Sequence, residues 1–167
     1  MVSKPGILDR WRRARRGECA QCGETLSLRV IPLCTGVCGD VTVSFTGIPC
    51  LGCDHPGHPR RLPDIEFGER LIDAIFSTGD FPAGKQQPLG GIACRRCGAR
   101  VKSVSSFGGS AAGEFAFPGL PEFRVVITGP AVRCDGCGRE QIFADREAVH
   151  RICEAMSVAF RQANLSG

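Results

Sequence analysis

Two periods of apolar and polar positions divide this chain. In "DVTVSFT" Val41, Val43 and Phe45 fall on one face and Thr42, Ser44 and Thr46 on the other, the alternation of a half-buried strand. Val125 and Ile127 repeat the scheme in "FRVVITG". Elsewhere the spacing lengthens to that of a helix. Ile65, Ile72, Ile75 and Phe76 form one stripe; Val149, Ile152, Cys153, Met156 and Phe160 form another. Asp64 and Asp145 are suited to N-cap these helices, since a short side-chain oxygen can accept from an orphan N–H of the first turn. Gly79 suits the stop of the first helix.

The elements recur in the same order. "CAQCGETLSLRV" and "VTVSFTGIPCLGC", then "LPDIEFGERLIDAIF", are echoed by "CRRCGARVKSV" and "FRVVITGPAVRCDGC", then "FADREAVHRICEAM". Each half reads as a Cys-x2-Cys-Gly knuckle, a strand, a loop, a strand through Thr-Gly, a second Cys-x2-Cys and an amphipathic helix. "STGDFPAGKQQPLGG", Ser77 to Gly91, has the composition of a linker. Gly108 and Gly109 fall in the long hairpin loop of the second half, where Phe115 and Phe117 are suited to packing or partner contact.

Cysteine carries the chemistry. Eleven are present, eight of them in four Cys-x2-Cys pairs, and with no export signal such pairs read as metal sites before disulfides. Two intervening residues let both sulfurs face one ion, and zinc takes four at about 2.3 Å in a tetrahedron. The residue after the second cysteine often needs a positive φ, which glycine supplies without steric cost; Gly23, Gly98 and Gly138 meet the need, and Asp54 holds the fourth such position. The repeat pairs Cys19, Cys22, Cys50 and Cys53 on one zinc, and Cys94, Cys97, Cys134 and Cys137 on a second. Each half alone would be marginal by apolar burial, whereas structural zinc contributes on the order of 10 kcal/mol to folding.

The expected fold is therefore a small zinc-stabilised α+β protein, with two tandem zinc-ribbon β-hairpin units each followed by an amphipathic helix. Its parts are a basic N-terminal arm (1–17), a first ribbon plus helix (18–78), a linker (79–92) and a second ribbon plus C-terminal helix (93–167).

Three cysteines remain. Cys34 and Cys38 lie near the first hairpin turn and have no counterpart in the second half; they read as reduced turn thiols or as a redox pair. A third metal site joining them to His55 and His58 is opposed by about eight residues of strand, roughly 25 Å. Either histidine could instead replace one cysteine at the first zinc, though four cysteines at matching positions favour the all-thiolate set. Cys153 sits on the last helix's apolar stripe as a core thiol.

Charge changes the picture once the ions are counted. The formal charge is +4 with neutral thiols; each centre of four thiolates and one dication carries −2, so two bring the total to about zero. Arg95 and Arg96 between the ligands would steady ionised sulfurs. The arm keeps a marked excess. Trp11 with Arg12, Arg13, Arg15 and Arg16 could stack and contact phosphate, or dock on the acidic first ribbon of the same chain.

The second half resembles the YgiT-type zinc-finger family, the amino-terminal ribbon of MqsA-like antitoxins, through "CRRCG", the strand "VVITGPAVRCDGCGREQI" and the helix from Asp145. The first half resembles it through "CAQCGE" and "VTVSFTGIPCLGC". The resemblance implies eight zinc-ligating cysteines and a ribbon that meets a protein partner; the helix-turn-helix with which those antitoxins bind DNA is not evident here. The reading is a non-enzymatic module, with two zinc ions per chain, for contact with a protein or nucleic acid. A thiol-redox or metal-responsive regulator using Cys34 and Cys38, and a factor binding RNA, DNA or the ribosome through the arm, are the alternatives. No small-molecule substrate is evident, and the lack of a signal-like apolar run or any 18-residue apolar window leads to the expectation of a cytoplasmic protein without a membrane span.

Overall fold

The computed structural model describes residues 6–77, 92–101, 105–142 and 146–166. Residues 78–91 of the proposed linker, Gly79 among them, and the Asp145 cap lie outside them, as does the side chain of Trp11; Ser77 ends α2 and Ile92 opens β4. A short helix α1 (Ile7–Arg15) precedes the first knuckle; then come β1 (Ser27–Cys38), β2 (Val41–Gly52), β3 (Arg60–Arg61) and α2 (Phe67–Ser77). The second half holds β4 (Ile92–Ala93), β5 (Arg100–Val101), β6 (Ser105–Phe115), β7 (Phe123–Arg133), β8 (Glu140–Ile142), α3 (Arg146–Gln162) and β9 (Leu165–Ser166). The molecule is mostly strand with three helices among the described residues, a mixed α+β architecture.

The two hairpins do not stand apart as tandem units. They fuse into one seven-stranded sheet. β1 pairs with β2 along its full length, Ser27↔Gly52 to Cys38↔Val41, so the other edge of β2 is open. β7 takes it antiparallel from Thr42↔Thr128 to Thr46↔Arg124, and β3 joins farther along at Leu51↔Arg61. β6 and β8 complete the second hairpin on β7. The alternation read from sequence explains the join, because Val41, Val43, Phe45, Val125 and Ile127 are all buried on one face. One core of 21 buried residues draws on both halves, so apolar burial holds the halves together where separate zinc-dependent units were expected.

The helices are exchanged between hairpins. α3, from the second half, lies on β1 and β2 of the first: Phe160 packs on Phe45 with ring centroids 5.1 Å apart. A Cβ at Gly36 would collide with the α3 backbone at Ala155 and Ala159. That closeness sets which residues face the sheet. Ala148, Ile152, Ala155, Met156 and Ala159 are buried, whereas the larger Val149, Cys153 and Phe160 stand at the flank. α2, from the first half, brings Phe67 against Phe117 and Phe123 of the second, 5.4 and 5.9 Å between centroids.

Two further expectations change. The buried stripe of α2 is Phe67, Leu71 and Ile75; Ile65 precedes the helix and is 93% exposed. Asp64 caps the turn before it, its carboxylate accepting from Glu66 N–H at 3.0 Å. Gly108 and Gly109 belong to β6, not to a loop; glycine at 109 lets β6 lie against Ala131 of β7.

Candidate metal centres

Three stretches of the chain fold into the same knuckle. At Cys19, Cys94 and Cys134 the cysteine carbonyl accepts from the glycine N–H four residues on, at 2.9, 2.8 and 2.7 Å. The cysteine N–H in turn donates to the carbonyl of Glu24, Ala99 or Arg139. Gly23, Gly98 and Gly138 close these turns with φ of 81°, 72° and 70°, the region where a Cβ is costly.

Two such knuckles face each other in the second half. Cys94, Cys97, Cys134 and Cys137 place their sulfurs within 4.8 Å of one another. Cys94 Sγ and Cys137 Sγ are 3.7 Å apart, and Cys97 Sγ and Cys134 Sγ 3.5 Å. Four sulfurs at about 2.3 Å from a tetrahedral ion would lie about 3.8 Å apart, so the cage fits zinc.

The first half brings together a different set. Cys19, Cys22, Cys53 and His58 converge, and Cys50 does not join them. His58 Nδ1 lies 3.6 Å from Cys19 Sγ and 3.4 Å from Cys53 Sγ, near the ~3.6 Å expected between nitrogen and sulfur on one tetrahedral zinc. The assignment of Cys50 as a ligand is corrected for a physical reason. Residues 50 to 52 are extended strand, and side chains three apart on a strand leave opposite faces. Cys50 points into the main core, fully buried, while Cys53, just past the strand, points to the knuckle. The chain then turns through Gly57, φ 82°, to deliver His58. Asp54 does not adopt positive φ, Asn164 being the one non-glycine that does among the described residues; its carboxylate pairs instead with Arg29.

Electrostatics favour one thiolate at each centre, Cys94 and Cys19. Burial pushes the Cys22 thiol up to about 11. At Cys97 the Ala99 N–H is outweighed by Cys134 and burial, which hold that thiol up at about 11. Burial raises the Cys94 thiol, but N–H groups of Cys97 and Arg96, the Gln141 amide and Cys134 outweigh it and bring the thiol down to about 6. Cys19 reaches about 6 the same way: burial opposes, and donors at Cys22, Gln21 and Cys53 prevail. Arg96 thus acts through its backbone, and Arg95 sends its guanidinium to the Phe76 carbonyl. Gln141 was not anticipated. It is 2% exposed, the one buried polar residue of the described set, and its Nε2 donates to Cys94 Sγ at 2.9 Å. A glutamine on a three-residue strand carries no ligand spacing by which to find it.

The remaining candidates separate. Cys34 and Cys38 lie on one strand face on either side of Gly36, with α3 above. Four residues of strand span about 13 Å, beyond the ~7 Å that a disulfide allows between Cα atoms, so they are not a redox pair. Burial, and secondarily Cys50, pushes the Cys34 thiol up to about 11. In the arm, Arg13 turns back on the first knuckle, donating to the Gln21 carbonyl at 3.2 Å, and Arg61 donates to Ala14 O at 2.9 Å. Arg12, Arg15 and Arg16 are exposed, as are Ile7 and Leu8. No described helix is long and apolar enough to cross a membrane. Comparison with protein-family models, with curated proteins and with solved structures returned no match to this chain.

Proposed function

We propose that the chain is a non-enzymatic, zinc-stabilised interaction protein that works in a reducing, cytoplasmic setting. The observation that carries this reading is the closure of both centres. Each offers four protein donors to one ion, and a tetrahedral zinc so held keeps no position for water or substrate, as a catalytic zinc must. The ions then fix the knuckles at the ends of the sheet, and the recognition surface lies elsewhere. β1 is an edge strand whose Leu28, Val30, Leu33 and Val37 are exposed, and large apolar side chains left in water on an edge strand are of the kind that marks a protein contact. The resemblance to the YgiT-type ribbon belongs to the same proposal, since it too makes the partner a protein.

Metal analysis with crosslinking tests the reading. The purified chain should carry a zinc ion at each centre, and crosslinking in the native host should capture a protein that Leu33→Lys/Val37→Lys loses. Equal capture by wild type and variant, or a metal-free chain with native near-UV dichroism, rejects it. Nucleic-acid contact is a second reading, favoured by the exposed Arg12 and Arg15 on α1 and Arg16 at its C-cap. It requires salt-dependent binding of a mixed-sequence oligonucleotide that Arg12→Ala/Arg16→Ala weakens.

A further inference from the structure

Beside the first centre a second group of donors converges, and it shares two sulfurs with the first. Cys22, Glu24, Cys53 and His55 place one ligand atom each within 4.8 Å of one another, just as Cys19, Cys22, Cys53 and His58 do. Glu24 Oε2 and His55 Nδ1 are 3.2 Å apart, near the ~3.4 Å expected of oxygen and nitrogen on one tetrahedral zinc. The two imidazoles are stacked, centroids 5.0 Å apart and planes 16° from parallel, so each group has its own ring nitrogen. Glu24 is anchored at the knuckle because its carbonyl accepts the Cys19 N–H at 2.7 Å.

An exposed Glu–His pair is by itself an ordinary surface feature. Here it stands next to Cys22 and Cys53, the two sulfurs it shares with the first group, and a thiolate sulfur has lone pairs enough to bridge two metals. Charge points the same way. Three thiolates and one dication leave −1, the Glu24 carboxylate adds another negative charge, and a second dication brings the cluster to neutrality.

We propose that the first centre binds two divalent ions, with Cys22 and Cys53 as bridging thiolates. Cys19 and His58 complete one tetrahedron; Glu24 and His55 complete the other. The inference rests on the reading of this centre as a metal site. Full-length zinc protein is incubated with excess Zn2+, gel-filtered and analysed for metal. Three ions per chain are expected, falling to two in Glu24→Gln/His55→Ala; both side chains are about half exposed, so the fold tolerates the change, and Glu24→Gln alone serves as a milder second variant. In cadmium-113 spectra of Cd2+-loaded protein, two of three resonances should show coupling through shared sulfurs. Two ions in the wild type, or three that persist in the double variant, overturn the bridged cluster and spare the two-centre reading. Fewer than two overturn both.

Discussion

In the second centre two knuckles of one design face each other, whereas in the first a single such knuckle meets Cys53 at a strand end and a histidine five residues later. The difference follows from what lies beneath. The second centre covers a small separate cluster, Cys94, Val101, Val132 and Cys134, with too little apolar area to order residues 92–101 by itself. In the first half the strand that leads to the site is already fixed by the main core, into which Cys50 is packed. A regular knuckle is the solution where the metal must organise the chain; where a sheet organises it, the fourth ligand can come from a turn.

Removing a ligand should produce the largest effects and separate the two centres. Cys134→Ser is expected to release one ion and abolish amide protection over residues 92–101, forfeiting metal stabilisation on the order of 10 kcal/mol, while protection in β2 and β7 persists. Hydrogen exchange with metal analysis checks this; loss of protection throughout the sheet would break the contrast. In the first half Cys53→Ser should release metal, whereas Cys50→Ser should retain it and cost about 2 kcal/mol for a buried hydroxyl, read by urea unfolding. Metal loss in Cys50→Ser would reinstate the all-thiolate set.

A smaller effect tests the support given to the second centre alone. Gln141→Leu removes the donor to Cys94 Sγ and should weaken zinc there by about 10- to 100-fold, measured by competition with a chromogenic chelator, with the first centre unchanged. The smallest effect concerns the core between the centres. The Cys34 thiol is raised from 9.0 to about 11 in the folded chain, so the folded state holds a proton that the unfolded state gives up in that window. The associated stability is full below pH 9 and is lost as pH rises toward 11. Cys34→Ala should flatten that part of the denaturation profile.

The second centre was legible because its spacing and both knuckle glycines, Gly98 and Gly138, agree. The first was misread at one position. "CLGC" satisfies the two-residue spacing, yet Asp54 stands where the other three knuckles have glycine, and that departure marked the odd pair. The Thr-Gly dipeptides offered a second signal: Cys134 follows Gly129 by five residues and Cys53 follows Gly47 by six, but Cys50 by only three. The alternation of β2 and β7 was readable, since period 2 is local. Their pairing was not, because two strands about 80 residues apart announce their faces and not their neighbours. The phase of α3 was hidden for a related reason: alanines face inward only because Gly36 admits the helix backbone, and nothing within the helix reveals it.

The join between β2 and β7 has a consequence for dividing the chain. The two strands pair antiparallel about a centre near Ser44↔Val126, and each half's helix rests on the other half's hairpin. A fragment carrying either half alone would turn Val43 and Phe45, or Val125 and Ile127, out to water.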